Sequence, residues 1–240
     1  MPVLSIIIPA YNEEAFLPRT LESLGNVIKS RPVDIEVIVV DNNSTDNTAS
    51  IAGDWGARVV FEPYNQISRA RNTGAGAALS DFLVFLDADT ELNEALLWAA
   101  LERLQGQHCC GGGTLVRFER EVPWLAQAFL NCWNWLAVKL SLAAGCFIYC
   151  RRDAFEDVGG FSEEVYASEE IWLSRAITSW GRDREMSFDI ITDWPISTSV
   201  RKVDWYSQGK LLVLFLPIML FPPLVRVQSF CKAWYRRPNT

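Results

Sequence analysis

Two aspartates separated by a single alanine, Asp87 and Asp89, follow the apolar run Phe-Leu-Val-Phe-Leu at residues 82–86. At the end of a buried strand they would offer two hard oxygen ligands within one short turn. Such a pair suits Mn²⁺ or Mg²⁺, with phosphate oxygens completing the shell. Asp41 closes a second β-branched run at 35–40, and Glu13 follows a third at 3–8. Ligands of a parallel sheet bind beyond the carboxyl ends of its strands, so Glu13, Asp41, Asp87 and Asp89 converge on one edge. Glu14 and Asp46 read instead as turn or cap residues. Other chemistries thin out. The single histidine, His108, leaves no Ser-His-Asp triad unless it serves alone, and the six cysteines lack the CxxC spacing of a zinc site. Neither G-x-G-x-x-G nor a P-loop follows the first run, so nucleotide binding would rest on carboxylates and a metal rather than a glycine cradle.

The elements that must position these acids alternate in period. Runs at 3–8, 35–40, 58–61 and 82–86 are continuously apolar or β-branched, as expected of strands buried on both faces. Between them the spacing predicts three helices. The first starts at Asn12, with Glu13 and Glu14 in its opening turn and Phe16, Leu17, Leu21, Leu24 and Ile28 on one face. The second opens at Ser44 with Asp46 near its positive end, and the third covers about 68–79. A βαβα order of this kind folds as an α/β, doubly wound, mostly parallel sheet flanked by helices. Beyond residue 105 the pattern changes. A strand is expected over 109–118, another over 145–150, and a helix over 169–180 capped by Ser168. The Trp- and Leu-rich stretch 124–142 reads as a helix packed into the core, with an acceptor-side amphipathic helix as the other reading.

Taken in order, Pro9-Ala-Tyr-Asn-Glu-Glu14, Asp41-Asn-Asn-Ser-Thr-Asp46, Ala70-Arg-Asn-Thr-Gly74, Phe85-Leu-Asp-Ala-Asp-Thr90 and Gly159-Gly-Phe161 resemble the successive motifs of family 2 glycosyltransferases of the GT-A fold. The resemblance covers roughly residues 3–180. It implies a domain over 1–202, with a nucleotide-sugar half (1–105) and an acceptor half (106–202). It also implies that Pro9, Ala10, Tyr11, Glu13 and Asp41 meet the nucleotide, that Arg71 lies near the donor, and that Asp87 and Asp89 hold ribose, metal and diphosphate. The donor implied is a nucleotide-sugar, most often a UDP-sugar, and transfer to a hydroxyl acceptor is expected with inversion. Relatives carry the general base in a Glu-Asp pair at the start of a late helix; here Glu169-Glu170 stands in that place. Register favours Glu170 as the base, with Glu169 nearer the acceptor. Arg201 resembles a basic element that pairs with the donor diphosphate or an acceptor phosphate.

Charge is unevenly spread along the 240 residues. The net charge is −7, yet residues 200–240 carry seven basic side chains against Asp204 alone, so the first 199 residues hold −13. An acidic body repels nucleic acid, and no such partner is expected. The segment 203–240, apolar at 211–225 and basic around it, points to an anionic membrane surface. Pro217, Pro222 and Pro223 argue against a spanning helix. The expectation is therefore a cytoplasmic enzyme, peripheral on the inner face of the membrane, with reduced cysteines, no secretory signal and a lipid-linked acceptor within reach. A nucleotidyltransferase and a non-catalytic sugar-nucleotide or lipid-binding protein are the alternatives. The former normally has a basic glycine-rich loop where Ala10–Glu14 is acidic.

Overall fold

A computed structural model describes residues 1–200, Val225–Val227 and Cys231. Eight strands form one mixed sheet: β1 (Leu4–Ala10), β2 (Ile35–Asp41), β3 (Arg58–Phe61), β4 (Phe82–Leu86), β5 (Thr90–Glu91), β6 (Cys109–Phe118), β7 (Phe147–Arg151) and β8 (Ser187–Thr198). Their spatial order is β3-β2-β1-β4-β7-β6-β8-β5. The first half of the chain supplies the parallel block around β1, while β7 joins it to β6 through two antiparallel pairings. β6 and β8 then run parallel, so the sheet crosses both halves without a break.

Helices α1 (Leu17–Lys29), α2 (Thr48–Trp55), α3 (Ile67–Ala77), α4 (Glu94–Gln105), α5 (Trp124–Leu140), α6 (Arg152–Asp157) and α7 (Glu169–Arg182) complete the described chain. The period of two along β1 sorts them. Leu4, Ile6 and Ile8 pack with Leu17, Leu21 and Leu24 of α1, Ala52 of α2 and the apolar side of α4. Ile7 packs on the opposite face with Ala70 and Ala75 of α3 and with Leu173 and Ile177 of α7. Both faces are covered, and the continuous hydrophobicity of the strands follows from that. Helix α3 comes so close that a Cβ on Gly74 would stand 2.4 Å from Ile7 Cγ2 and 2.9 Å from Val40 Cγ2. Only glycine allows this approach.

Several boundaries depart from the sequence pattern. The first helix starts at Leu17 rather than Asn12, with Pro18 in its opening turn. Asn12 takes a left-handed conformation (φ 50°), and Glu13 lies in the turn behind it. The second helix starts at Thr48, not Ser44, and Asp46 accepts from the Thr48 amide at 3.0 Å. Glu14 accepts from the Asn47 amide and side chain, and its own amide donates to Asp46. The acids that resemble helix first turns thus tie two loops to each other. Ser168 precedes α7 as expected but is left-handed (φ 61°) and makes no side-chain cap. Core packing fails as a description of α5: of its 17 residues only Ala137 is fully buried.

After Val200 the chain is described again at Val225, whose carbonyl accepts from the Tyr166 amide at 2.7 Å. Val225 and Cys231 are buried with Val165 and Ala167, just ahead of α7. Arg226 pairs with Glu164 at 3.4 Å, so the end of the expected lipid-facing run packs on the domain itself. Arg201 and the rest of 203–240 lie outside the described residues. Among the described residues no helix is long and apolar enough to cross a membrane.

Candidate active site

Arg71, in the middle of α3, is only 1 % exposed and sits where the two halves meet. Its Nη1 donates to Glu169 Oε1 at 2.5 Å, and its Nη2 donates to Asp87 Oδ1 at 2.9 Å and to the Gly145 carbonyl at 2.8 Å. The guanidinium lies 5.1 Å from the centre of the Phe161 ring. Burial alone would lower its pKa, but Asp87, Glu169 and Glu170 offset this and raise it above the ordinary arginine value. The cation is therefore fixed, and it holds a strand-end aspartate and the start of α7 in one cluster.

Asn72, the next residue, holds the adjoining turn. Its Oδ1 accepts from the Phe161 amide and its Nδ2 donates to the Phe161 carbonyl, both at 2.9 Å. Gly160 has φ 71°, and a Cβ there would stand 2.8 Å from Asn72 Oδ1. The Phe161 ring then meets Phe85 edge-on, with centroids 4.9 Å apart. The Arg-Asn and Gly-Gly-Phe motifs, about 90 residues apart in sequence, form one structural unit. The sequence shows these motifs but not Asn72's role, because its partners, the Phe161 backbone and the Glu163 side chain, are distant in the chain.

The remaining expected residues gather as the parallel sheet requires. Pro9 and Ala10 end β1 beside Val40 and Asp41. Asp41 is buried and accepts from the Ser44 amide at 2.9 Å; Glu13 is buried, and its amide donates to Thr48 Oγ1. Tyr11 continues from the same strand end. Glu62, a buried carboxylate absent from the sequence-based set, follows β3 and accepts from Thr73 Oγ1 at 2.7 Å. Its only signal is position, one residue past a strand end. Arg71 stands apart from these: its guanidinium lies beneath Asp87 and Glu169 and has almost no surface to offer a donor.

Asp87 and Asp89 follow β4 directly, and together they push the buried Cys146 thiol upward in pKa, after burial itself. Both carboxylates thus act on the same buried thiol. Among the described residues no group of three or more His, Cys, Asp or Glu side chains could enclose a metal ion. Two carboxylates just past a strand end are the donor type that fits Mg²⁺ or Mn²⁺, which such sites hold through one or two carboxylates plus substrate phosphates. Asp89 also lines a shallow cleft with Arg19, Glu91, Glu119, Ser197 and Ser199.

At the start of α7, Glu169 is buried on Arg71 and the half-buried Glu170 lies beside it. Burial, then the Glu169 charge, pushes the Glu170 carboxyl up to about 8. Two adjacent acids thus differ: one is engaged in an ion pair, the other holds a proton near neutrality. Ser174 Oγ donates to the Glu170 carbonyl and accepts from the Ala143 amide, which fixes the loop ending at Gly145 against α7.

A mixed α/β sheet with carboxylates at its strand ends and an acidic late helix defines a GT-A type transferase domain. The model of glycosyl transferase family 2 matches residues 5–159, and the chain belongs to that family. An uncharacterised glycosyltransferase of Mycobacterium bovis is 30 % identical over 185 residues, covering 73 % of this chain and 80 % of that protein. Glucosyl-3-phosphoglycerate synthase of Mycobacterium tuberculosis, solved with Mn²⁺, UDP and glucosyl-3-phosphoglycerate, has a TM-score of 0.64 at 19 % identity and covers 94 % and 80 % of the two chains. A mannosyltransferase of Pyrobaculum calidifontis, solved with GDP-mannose and Mn²⁺, has a TM-score of 0.64 at 21 % identity and covers 97 % and 69 %. The chain spans 25–31 % of the length of two further curated glycosyltransferases that it matches.

Proposed function

We propose that this chain moves a sugar from a nucleotide-sugar donor, a UDP-sugar foremost, to a hydroxyl acceptor with inversion. The observation that carries this reading is the Arg71 bridge between Asp87 and Glu169, which makes the donor edge and the base-bearing helix one rigid unit. The nucleotide would lie against Pro9, Ala10, Tyr11, Glu13 and Asp41. Asp87 and Asp89 would hold the divalent ion, Mn²⁺ or Mg²⁺. When bound, that ion supplies positive charge against the diphosphate that leaves. Arg71 keeps Asp87 oriented from below. The Glu170 carboxylate takes the proton of the acceptor hydroxyl as it attacks, and attack opposite the leaving group inverts the anomeric carbon. Glu169, held by Arg71, fixes the first turn of α7 and so the direction in which Glu170 points. Arg201 comes two residues after Ser199, which shares the Asp89 cleft, and would pair with diphosphate or an acceptor phosphate.

Residues 203–240, with four basic side chains besides the Glu164-paired Arg226 against Asp204 alone, would hold the enzyme to the cytoplasmic face of an anionic membrane. There a lipid-linked acceptor is within reach. A thermal-shift panel of nucleotide-sugars with and without Mn²⁺ tests the donor: the correct one should raise Tm by mass action, and more so with metal. No shift with any nucleotide-sugar would remove the donor assignment.

A further inference from the structure

Helix α5 is apolar where a surface helix is ordinarily charged. Its inner side is defined by Leu130 and Trp133 against the core, the buried Ala137, and Asn134, whose side chain donates to the Val116 carbonyl and accepts from the Val116 amide. The other side carries Trp124 (77 % exposed), Trp135 (61 %), Phe129, Val138 and Leu140. Lys139 is the only charged residue among the 17, and no acid is present. A helix hydrophobic all round is normally buried, so this outer face lacks its environment among the described residues.

We infer that the outer face of α5 lies on an anionic phospholipid bilayer and sets the depth at which the active site meets it. This inference rests on the proposal that the enzyme works at a membrane surface, and adds to it a second contact built into the folded domain. Three observations select lipid as the occupant. The first is residue type: tryptophans with asparagine, glutamine and one lysine suit the boundary between headgroups and acyl chains, where an amphipathic ring has both its surroundings. The second is where the chain goes. The Val200 amide donates to Glu119 Oε1 at 3.4 Å, so the chain leaves the described fold beside a residue five positions ahead of Trp124. The remaining residues, 201–240, carry seven basic side chains and one acid; Arg226 pairs with Glu164 ahead of α7, which leaves six. The anionic surface that those charges seek would therefore meet the start of α5. The third is the far end of the helix, which runs through Leu142 and Ala143 into Gly145, whose carbonyl receives Arg71. A bilayer along α5 would thus run toward Glu170. At about 25 Å for 17 residues, the helix is shorter than a hydrocarbon core of about 30 Å and would lie along the surface.

Cys132 gives a local readout, since it lies on α5 and is the one exposed cysteine of the six. The full chain would be labelled with a charged, water-soluble maleimide alone, with phosphatidylcholine vesicles, and with vesicles containing phosphatidylglycerol. Vesicle flotation would be measured in parallel. Anionic vesicles should slow labelling roughly tenfold when about nine-tenths of the chain is bound, because the rate follows the free fraction. Neutral vesicles should leave it unchanged. The double variant Trp124→Glu with Trp135→Glu should restore labelling in the presence of anionic vesicles while its melting temperature stays at the wild-type value. Flotation with Cys132 still reactive would overturn the α5 contact yet keep the attachment through 203–240. No flotation at all would overturn both. Protection of Cys132 without vesicles would also overturn it, assigning the face to a second copy if the mass doubles and to residues 201–224 if it does not.

Discussion

Helices α3 and α5 invert the usual relation between composition and burial. Helix α3 carries Ser68, Arg71 and Thr73, yet it buries Arg71 and Ser68 against the sheet because Gly74 lets its backbone approach. Helix α5 is far richer in tryptophan and leucine and buries one residue. The difference lies in what each helix meets. Behind α3 stand Asp87 and Glu169, which compensate a cation. Along α5 one side packs on β6 and the core through Leu130, Trp133 and Ala137, while Trp124, Phe129, Trp135, Val138 and Leu140 stay exposed. Burial is thus decided by partners at a distance, not by the hydrophobicity of the helix.

The strongest way to break this comparison is to remove the compensated cation. Arg71→Met should remove the cation between Asp87 and Glu169 and leave the buried Glu169 carboxylate without its guanidinium, with a loss of about 3–5 kcal/mol of stability and of transfer together. Urea unfolding measures the first and product formation the second; a variant of wild-type stability would mean that the cluster is not held by Arg71. Glu170→Gln separates chemistry from packing. It should lower kcat by roughly 10²–10⁴ with donor affinity little changed, and leave Tm little changed near pH 5, where the wild-type carboxyl is protonated. If Glu169→Gln gives that kinetic defect instead, the register assigned to α7 is wrong.

The same residue predicts a pH response. Glu170 is raised in the folded protein, so between its ordinary value of 4.5 and about 8 the folded state binds more protons than the unfolded one. Its contribution to stability is then present at the acid end of that window and lost as pH rises through it. The activity of the free enzyme runs the other way, since the base must be ionised: kcat/KM should climb toward a plateau above pH 8. Melting temperature against pH for wild type and Glu170→Gln would show the difference, and parallel curves would refute it. Gly74→Ala tests the close approach of α3 with a smaller effect, about 1–3 kcal/mol, as overpacking against Ile7 and Val40. Smallest of all, Trp135→Ser should change stability in water by less than about 0.5 kcal/mol, because the ring is mostly exposed. A larger loss in urea unfolding would mean that the outer face of α5 is covered by protein after all.

The strands are legible in the sequence because each is a continuous apolar run of its own. The run at 82–86 is β4, and 109–118 is β6. Helix starts are not, since Glu13, Glu14 and Asp46 look like first-turn acids but bond across two loops more than 30 residues apart. The same distance hides the cluster. Arg71 can be placed near the donor edge by motif, but its partners stand 16 and 98 positions away, and no local pattern records such pairings. For α5, apolar composition identifies a helix, and nothing in its own 17 residues says which of its sides lacks a neighbour.

The 98-residue span between Arg71 and Glu169 also orders the birth of the protein. As the chain leaves the ribosome, β1–β4 and α3 are complete long before α7 exists, and the guanidinium of a prematurely closed core would have Asp87 as its only carboxylate partner of the two. Phe85 would likewise lack Phe155 and Phe161, which arrive with α6 and the turn after it. Contacts this distant in sequence slow folding and leave the early half exposed to misassociation. A nascent chain ending near residue 160 would hold every strand from β1 to β7 but not the second carboxylate that neutralises its centre. It should stay soluble only while a chaperone or the emerging α7 attends it.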